Sequence, residues 1–137
     1  HVIPGMIYRF HEAKINNLPS VTIWGTGTPK REFLYVDDLA KASIDLMNID
    51  KKIYDEHISS MCSHINVGSS LDLTIKELAE AVREVVGFSG KIKFDLTKPD
   101  GTSRKFLDSK RINNFGFKPQ ISLKNGLIKT YQDYIKI

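Results

Sequence analysis

Two glycines and a proline fall within five residues, Gly25-Thr26-Gly27-Thr28-Pro29, between two runs of β-branched and aromatic residues. No regular element crosses such a stretch, because glycine reaches backbone angles closed to other residues and proline fixes its own. The chain must therefore turn here. Val21 to Trp24 reads as a short strand entering the loop, and Phe33 to Val36 as a second short strand leaving it. Asp37-Asp38 reads as a helix N-cap, since a carboxylate accepts hydrogen bonds from the orphan amides of a first turn. Lys30 and Arg31 sit side by side at the rim of the loop. A planar guanidinium beside an open glycine loop suits a phosphate. Taken alone, Arg31 reads more readily as a solvated loop residue, since most surface charges hold no ligand.

The other elements follow from spacing. Pro4 suits a first helical turn, and Ile3, Met6, Ile7 and Phe10 recur at helical spacing. His1, Gly5 and Arg9 recur every fourth residue on a neighbouring stripe. Leu39 to Met47 reads as an amphipathic helix, Asn48 to Met61 as helix end plus loop, and Ser63 to Gly68 as a short strand ending in a turn. Thr74-Ile75-Lys76-Glu77 is a capping box opening a helix with Ile75, Leu78, Ala79, Val82, Val85 and Val86 on one face, stopped by Gly87. Lys91 to Phe94 reads as an alternating strand, and Lys98 to Lys105 as a turn-rich basic loop. A short helix ends at Phe115 before Gly116, and Ser122 is placed to cap a last helix carrying Leu123, Leu127, Ile128, Tyr131 and Ile135. The sum is one mixed α/β domain over residues 1–137, with four sizeable helices and several short strands, lacking the βαβαβ series of a dinucleotide-binding half.

Composition narrows the function classes. Hydrophobic content of 41% and charged content of 26% are ordinary for a globular domain with a real core. No apolar run approaches the ~20 residues that span a bilayer, which reads against a membrane protein. Cys62 is the only cysteine, so no disulfide framework or cysteine metal site is available, and a reducing, cytoplasmic setting fits. A net charge of +4 favours anionic partners, without the aromatic or basic motifs that mark nucleic-acid binding. His11, His57 and His64 lack metal-ligand spacing, and no nucleophile triad or phosphate-loop signature occurs. What remains is a set of cations on separate segments, Arg9, Arg31, Lys91 and Lys105, with Trp24 offering a flat face for a base or sugar. They either converge on a diphosphate or stand apart as solvated charges.

The run from Trp24 to Asp38 resembles the Gly-x-Gly-x-x-x-Arg-x-Phe-x-x-Val-x-Asp signature of the extended short-chain dehydrogenase/reductases, which modify nucleotide sugars. His1-Val2-Ile3-Pro4 with Arg9-Phe10-His11-Glu12-Ala13, Ser63-His64-Ile65-Asn66-Val67-Gly68, and Lys98-Pro99-Asp100-Gly101-Thr102-Ser103-Arg104-Lys105 extend the resemblance along nearly the whole chain. They narrow it to the branch that epimerises C3 and C5 of GDP-4-keto-6-deoxy-D-mannose and reduces C4 with NADPH to give GDP-L-fucose. That branch carries an N-terminal Rossmann domain with a Gly-x-x-Gly-x-x-Gly loop and a Tyr-x-x-x-Lys pair. Neither pattern occurs in these 137 residues, Tyr54 and Tyr131 being followed four residues on by Ile58 and Ile135. The resemblance thus implies the C-terminal, substrate-binding portion of such an enzyme, inactive by itself, with NADP(H) held mainly by the other domain and a homodimer formed through it. It implies that His1 is an acid/base beside the nicotinamide, that Arg9 and Arg31 hold the GDP diphosphate, that Trp24 lines the substrate site, and that Lys105 and Lys91 add basic substrate contacts. Cys62 is given no catalytic role. Another nucleotide-sugar epimerase or dehydratase, or a nucleotide-binding fragment without catalysis, are the alternatives.

Overall fold

The computed structural model describes residues 1–136. In chain order the elements are α1 (Val2–Ile15), β1 (Ser20–Trp24), β2 (Lys30–Glu32), α2 (Val36–Met47), α3 (Lys51–Glu56), β3 (Asp72–Thr74), α4 (Ile75–Val86), β4 (Lys91–Asp95), β5 (Arg104–Lys105), α5 (Lys110–Asn114) and α6 (Leu123–Tyr134). They divide into two compact units, each assembled from separated stretches of chain.

The first unit comprises His1–Arg31, Leu73–Lys105 and the chain from Lys124. Its core is built from one face of α1 (Met6, Ile7, Phe10, Ala13), the inward residues of β1 (Val21, Ile23) and one face of α4 (Leu78, Ala79, Val82, Val86), closed by Phe88 and Leu127. Phe10 and Phe88 meet edge to face at 5.7 Å between ring centroids, the arrangement favoured by the ring quadrupoles. Lys14 at the end of α1 donates to the Val86 carbonyl at 2.7 Å, satisfying one orphan acceptor of α4. β1 pairs with β4 in parallel, Ser20 opposite Lys91 and Trp24 opposite Asp95, and a second sheet has the order β3-β2-β5. The Tyr131 hydroxyl lies 3.1 Å from His11 Nδ1, and burial pushes the Tyr131 phenol above its ordinary pKa, with Tyr134 adding to the rise.

The capping box is present in full. Thr74 Oγ1 accepts from the Glu77 amide at 3.1 Å while the Glu77 carboxylate accepts from the Thr74 amide at 2.7 Å, and Gly87 ends α4 at φ 73°. Thr74→Ala is expected to lower stability by about 1 kcal/mol, read from a urea midpoint. No change would mean that packing alone fixes this end of α4.

The second unit comprises Glu32–Asp72 and Phe106–Leu123. Three sequence expectations are corrected here. Asp37-Asp38 does not cap α2: the helix already begins at Val36, Tyr35 is its N-cap, and no side chain caps it. Asp38 is instead buried, its carboxylate accepting from the Gln120 amide at 3.1 Å and the Ile121 amide at 3.0 Å. A carboxylate gains more from two distant amides that lack other partners than from a solvated cap. Ser63 to Gly68 forms no strand: Arg111 Nη1 donates to the Cys62 and His64 carbonyls at 2.8 and 3.0 Å, and Asn66 Nδ2 donates to the Asp108 carbonyl, so side chains take the place of a ladder. Asn48 to Met61 is not helix end plus loop alone, since α3 lies within it, capped by the Asp50 carboxylate on the Lys52 amide at 2.8 Å.

The second strand also departs from expectation. It runs over Lys30–Glu32, not Phe33–Val36. Strand propensity favours Phe33-Leu34-Tyr35-Val36, but pairing decides, and β5 lies opposite Lys30 and Arg31.

Candidate functional site

The glycine loop is held from two sides within the first unit. From below, the first two amides of α4 donate to it, Ile75 to the Pro29 carbonyl and Lys76 to the Gly27 carbonyl, both at 2.9 Å. These are orphan donors of a helix N-terminus, so the loop satisfies α4 as α4 fixes the loop. From the side, the Asp100 carboxylate accepts from the Thr26 amide at 2.9 Å and from Thr26 Oγ1 at 2.7 Å. Gly25 and Gly27 both stand at φ 77°, and a Cβ on either would run into Asp100 or into the Phe94 ring. Glycine is required at both positions for backbone angle and for space.

Around this loop the structure gathers most of the expected residues. Trp24, at the end of β1, is 67% exposed, with Lys98 Nζ 5.6 Å from its ring centroid in cation–π geometry. Arg31 lies on β2, and its Nη1 donates to the Thr102 carbonyl at 2.7 Å and to its own neighbour's Lys30 carbonyl at 2.6 Å. Both acceptors bind one nitrogen, so the fork keeps Nη2 and Nε for a ligand. Lys105 is the register partner of Arg31 on β5 and is exposed. Arg9 reaches from α1 to β1, with Nε donating to the Gly5 carbonyl at 3.1 Å and Nη1 to the Thr22 carbonyl at 3.2 Å, two residues before Trp24. Gly5 thus contributes a carbonyl that steers Arg9, and nothing lies within 4 Å of where its Cβ would be.

Two expected residues stand apart. Lys91 begins β4 opposite Ser20, four residues from the Trp24–Asp95 end of the ladder, or about 13 Å at the rise of a strand. His1 is exposed at the start of α1, its carbonyl accepting from the Gly5 amide at 3.2 Å. Two contacts beside this loop escaped the sequence reading, Lys98 over Trp24 and Asp100 against Thr26. Pro99-Asp100-Gly101 announced a turn, but nothing local announces a carboxylate aimed 74 residues back.

β1 leads through the glycine loop into β2, not into a helix. The strand–glycine–helix cradle that holds a dinucleotide pyrophosphate is therefore not built by this loop, and its donors suit a diphosphate bound by side chains. In the second unit a cavity of about 380 Å³ is lined by Cys62, His64, Asn66, Asp108, Lys110 and Arg111, none of them an expected site residue.

Residues 1–68 match the NAD dependent epimerase/dehydratase family. GDP-mannoheptose C4 reductase from Campylobacter jejuni, solved with NADP bound, superposes with a TM-score of 0.83 at 38% identity, over 98% of this chain and 45% of that one. In fold and sequence the chain is similar to nucleotide-sugar reductases of the extended short-chain dehydrogenase/reductase type, as its motifs implied. It is also similar in sequence to the GDP-L-fucose synthases. It is 50% identical to GDP-L-fucose synthase of Escherichia coli (strain K12) and 50% identical to GDP-L-fucose synthase 1 of Arabidopsis thaliana, each over 99% of its length. The chain spans about two fifths of the length of these relatives, 42% and 39%.

Proposed function

We propose that this chain is the C-terminal, substrate-binding part of a GDP-L-fucose synthase, and that its glycine-loop cluster receives the GDP end of the substrate. The observation that carries the reading is the grouping of Trp24, Arg31 and Lys105 around one loop: two cations for a diphosphate and a flat face for a ring. Arg9, anchored to the same strand, supplies a third charge from α1. Lys91, at the far end of its strand, serves at most a remote part of the ligand.

In the complete enzyme His1 exchanges the protons at C3 and C5 of the keto sugar. Such protons are acidified by the neighbouring ketone, and an imidazole serves on either side of the exchange near neutral pH. Bound NADPH, held by the part of the enzyme beyond these residues, supplies the hydride that reduces C4. The same reading makes the enzyme a homodimer joined through that other domain and sets it in the cytoplasm. No described helix is long and apolar enough to cross a membrane.

The test is the longer enzyme incubated with GDP-4-keto-6-deoxy-D-mannose and NADPH in deuterated water. Label at C3 and C5 of a GDP-L-fucose product supports the reading, whereas reduction without label makes it a simple 4-reductase. His1→Asn is expected to slow label uptake by roughly 10²–10⁴-fold while leaving GDP affinity intact. Undiminished exchange would remove His1 from the chemistry. GDP binding without turnover by the longer protein would favour the non-catalytic alternative.

A further inference from the structure

We infer that Asp100 is a positioning residue that locks the glycine loop and the loop before β5 into a single anion-binding element. The inference rests on the proposed GDP site for its functional consequence, but not for its structural part. One loop follows Trp24, at the end of β1, and leads to Arg31; the other carries Lys98 and leads to Lys105. Three links join them. The Asp100 carboxylate takes the Thr26 amide and the Thr26 hydroxyl, Arg31 Nη1 takes the Thr102 carbonyl, and the Lys30 amide takes the Ser103 carbonyl at 2.8 Å. The latter two tie the far end of the loop, at Lys30 and Arg31, to main-chain carbonyls, whereas Asp100 supplies a charged side chain to the tip of the glycine loop.

The tip is shaped to receive it. Gly25 leaves the space that the carboxylate fills, since a Cβ there would collide with Asp100. Thr26 Oγ1 also stands 2.7 Å from Thr28 Oγ1 and accepts from the Thr28 amide at 3.2 Å, so the carboxylate orders the turn beyond its own contacts. Opposite it, Gly101 lies against Arg31 Nη2, at 3.0 Å from where its Cβ would stand. Two donors from Thr26 occupy acceptor sites on both Asp100 carboxylate oxygens, and among the described residues no ion pair ties the carboxylate to Arg31 or the lysines, which stay available for the ligand. Asp100 therefore fixes the approach of Lys98 to Trp24, on a frame whose other side, Arg31 beside Lys105, is set by the β2–β5 ladder.

Asp100→Ala and Thr26→Val test this, because the second removes only the hydroxyl link. Amide hydrogen exchange on the ligand-free chain is read first. Exchange at Thr26, Lys30 and Gly101–Ser103 is expected to rise about tenfold or more in Asp100→Ala, and less in Thr26→Val, with α1 and α4 unchanged. Trp24 is the sole tryptophan, so its emission reports the same release through collisional quenching. GDP affinity, followed by that emission, is expected to fall about tenfold in Asp100→Ala and to recover in part in Asp100→Asn. Unchanged exchange and quenching in Asp100→Ala overturn the clamp, whatever GDP does. Raised exchange with wild-type GDP affinity keeps the clamp as a structural link and removes its role in binding. A wild-type chain that ignores GDP counts against the proposed site, while the exchange data still decide the clamp.

Discussion

Phe10→Ala is expected to destabilise the first unit by about 3–5 kcal/mol. Phe10 is fully buried, packs edge to face on Phe88, and sits where α1 meets α4 and β1. Truncation removes the transfer free energy of a whole ring and leaves a hole beside Phe88 that a close-packed core fills only in part. Since natural domains hold only about 5–15 kcal/mol in reserve, this change alone is expected to leave much of the population unfolded on mild heating. A urea titration measures it, with Phe10→Leu as control, expected to cost under about 1.5 kcal/mol. A loss below about 1 kcal/mol for the alanine variant would mean that α1 is not central to the core.

Arg31→Ala is expected to weaken GDP binding by roughly tenfold to a hundredfold, the effect of removing a charge-assisted contact of about 1.5–3 kcal/mol. The fork is already aimed: the Lys30 and Thr102 carbonyls hold Nη1, so the guanidinium spends little entropy on meeting a phosphate. Arg31→Lys keeps the charge and loses the planar fork, and an intermediate affinity is expected. If the lysine variant matches wild type, Arg31 acts as a point charge only; if the alanine variant matches it too, the diphosphate lies elsewhere.

Much of this arrangement was legible in the chain. The Thr74–Glu77 box and Gly87 bounded α4 to the residue because capping is local chemistry written in four or five adjacent positions. The apolar stripe of α1 named Ile3, Met6, Ile7 and Phe10 as buried; the last three are, while Ile3, in the first turn, is half-buried. The glycine loop was legible as a break, while the placing of Lys105 opposite Arg31 follows from strand pairing. What was not legible depends on partners distant in sequence. Phe33 to Val36 has strand propensity, but β5 offers its ladder to Lys30 and Arg31 instead. Asp38 looked like a cap beside Asp37, and only the fold brings the Gln120 and Ile121 amides to it. Asp100 is the same case in the site. Its turn is local, whereas its target, Thr26, lies on the other side of the unit's sequence.

The most direct test of the account is calorimetric titration of the chain with GDP, UDP and dTDP. The glycine-loop reading predicts saturable binding with GDP preferred, lost in Arg31→Ala. Equal or absent binding of all three nucleotides would contradict it, leaving the cations around Trp24 as surface charge on an inherited fold.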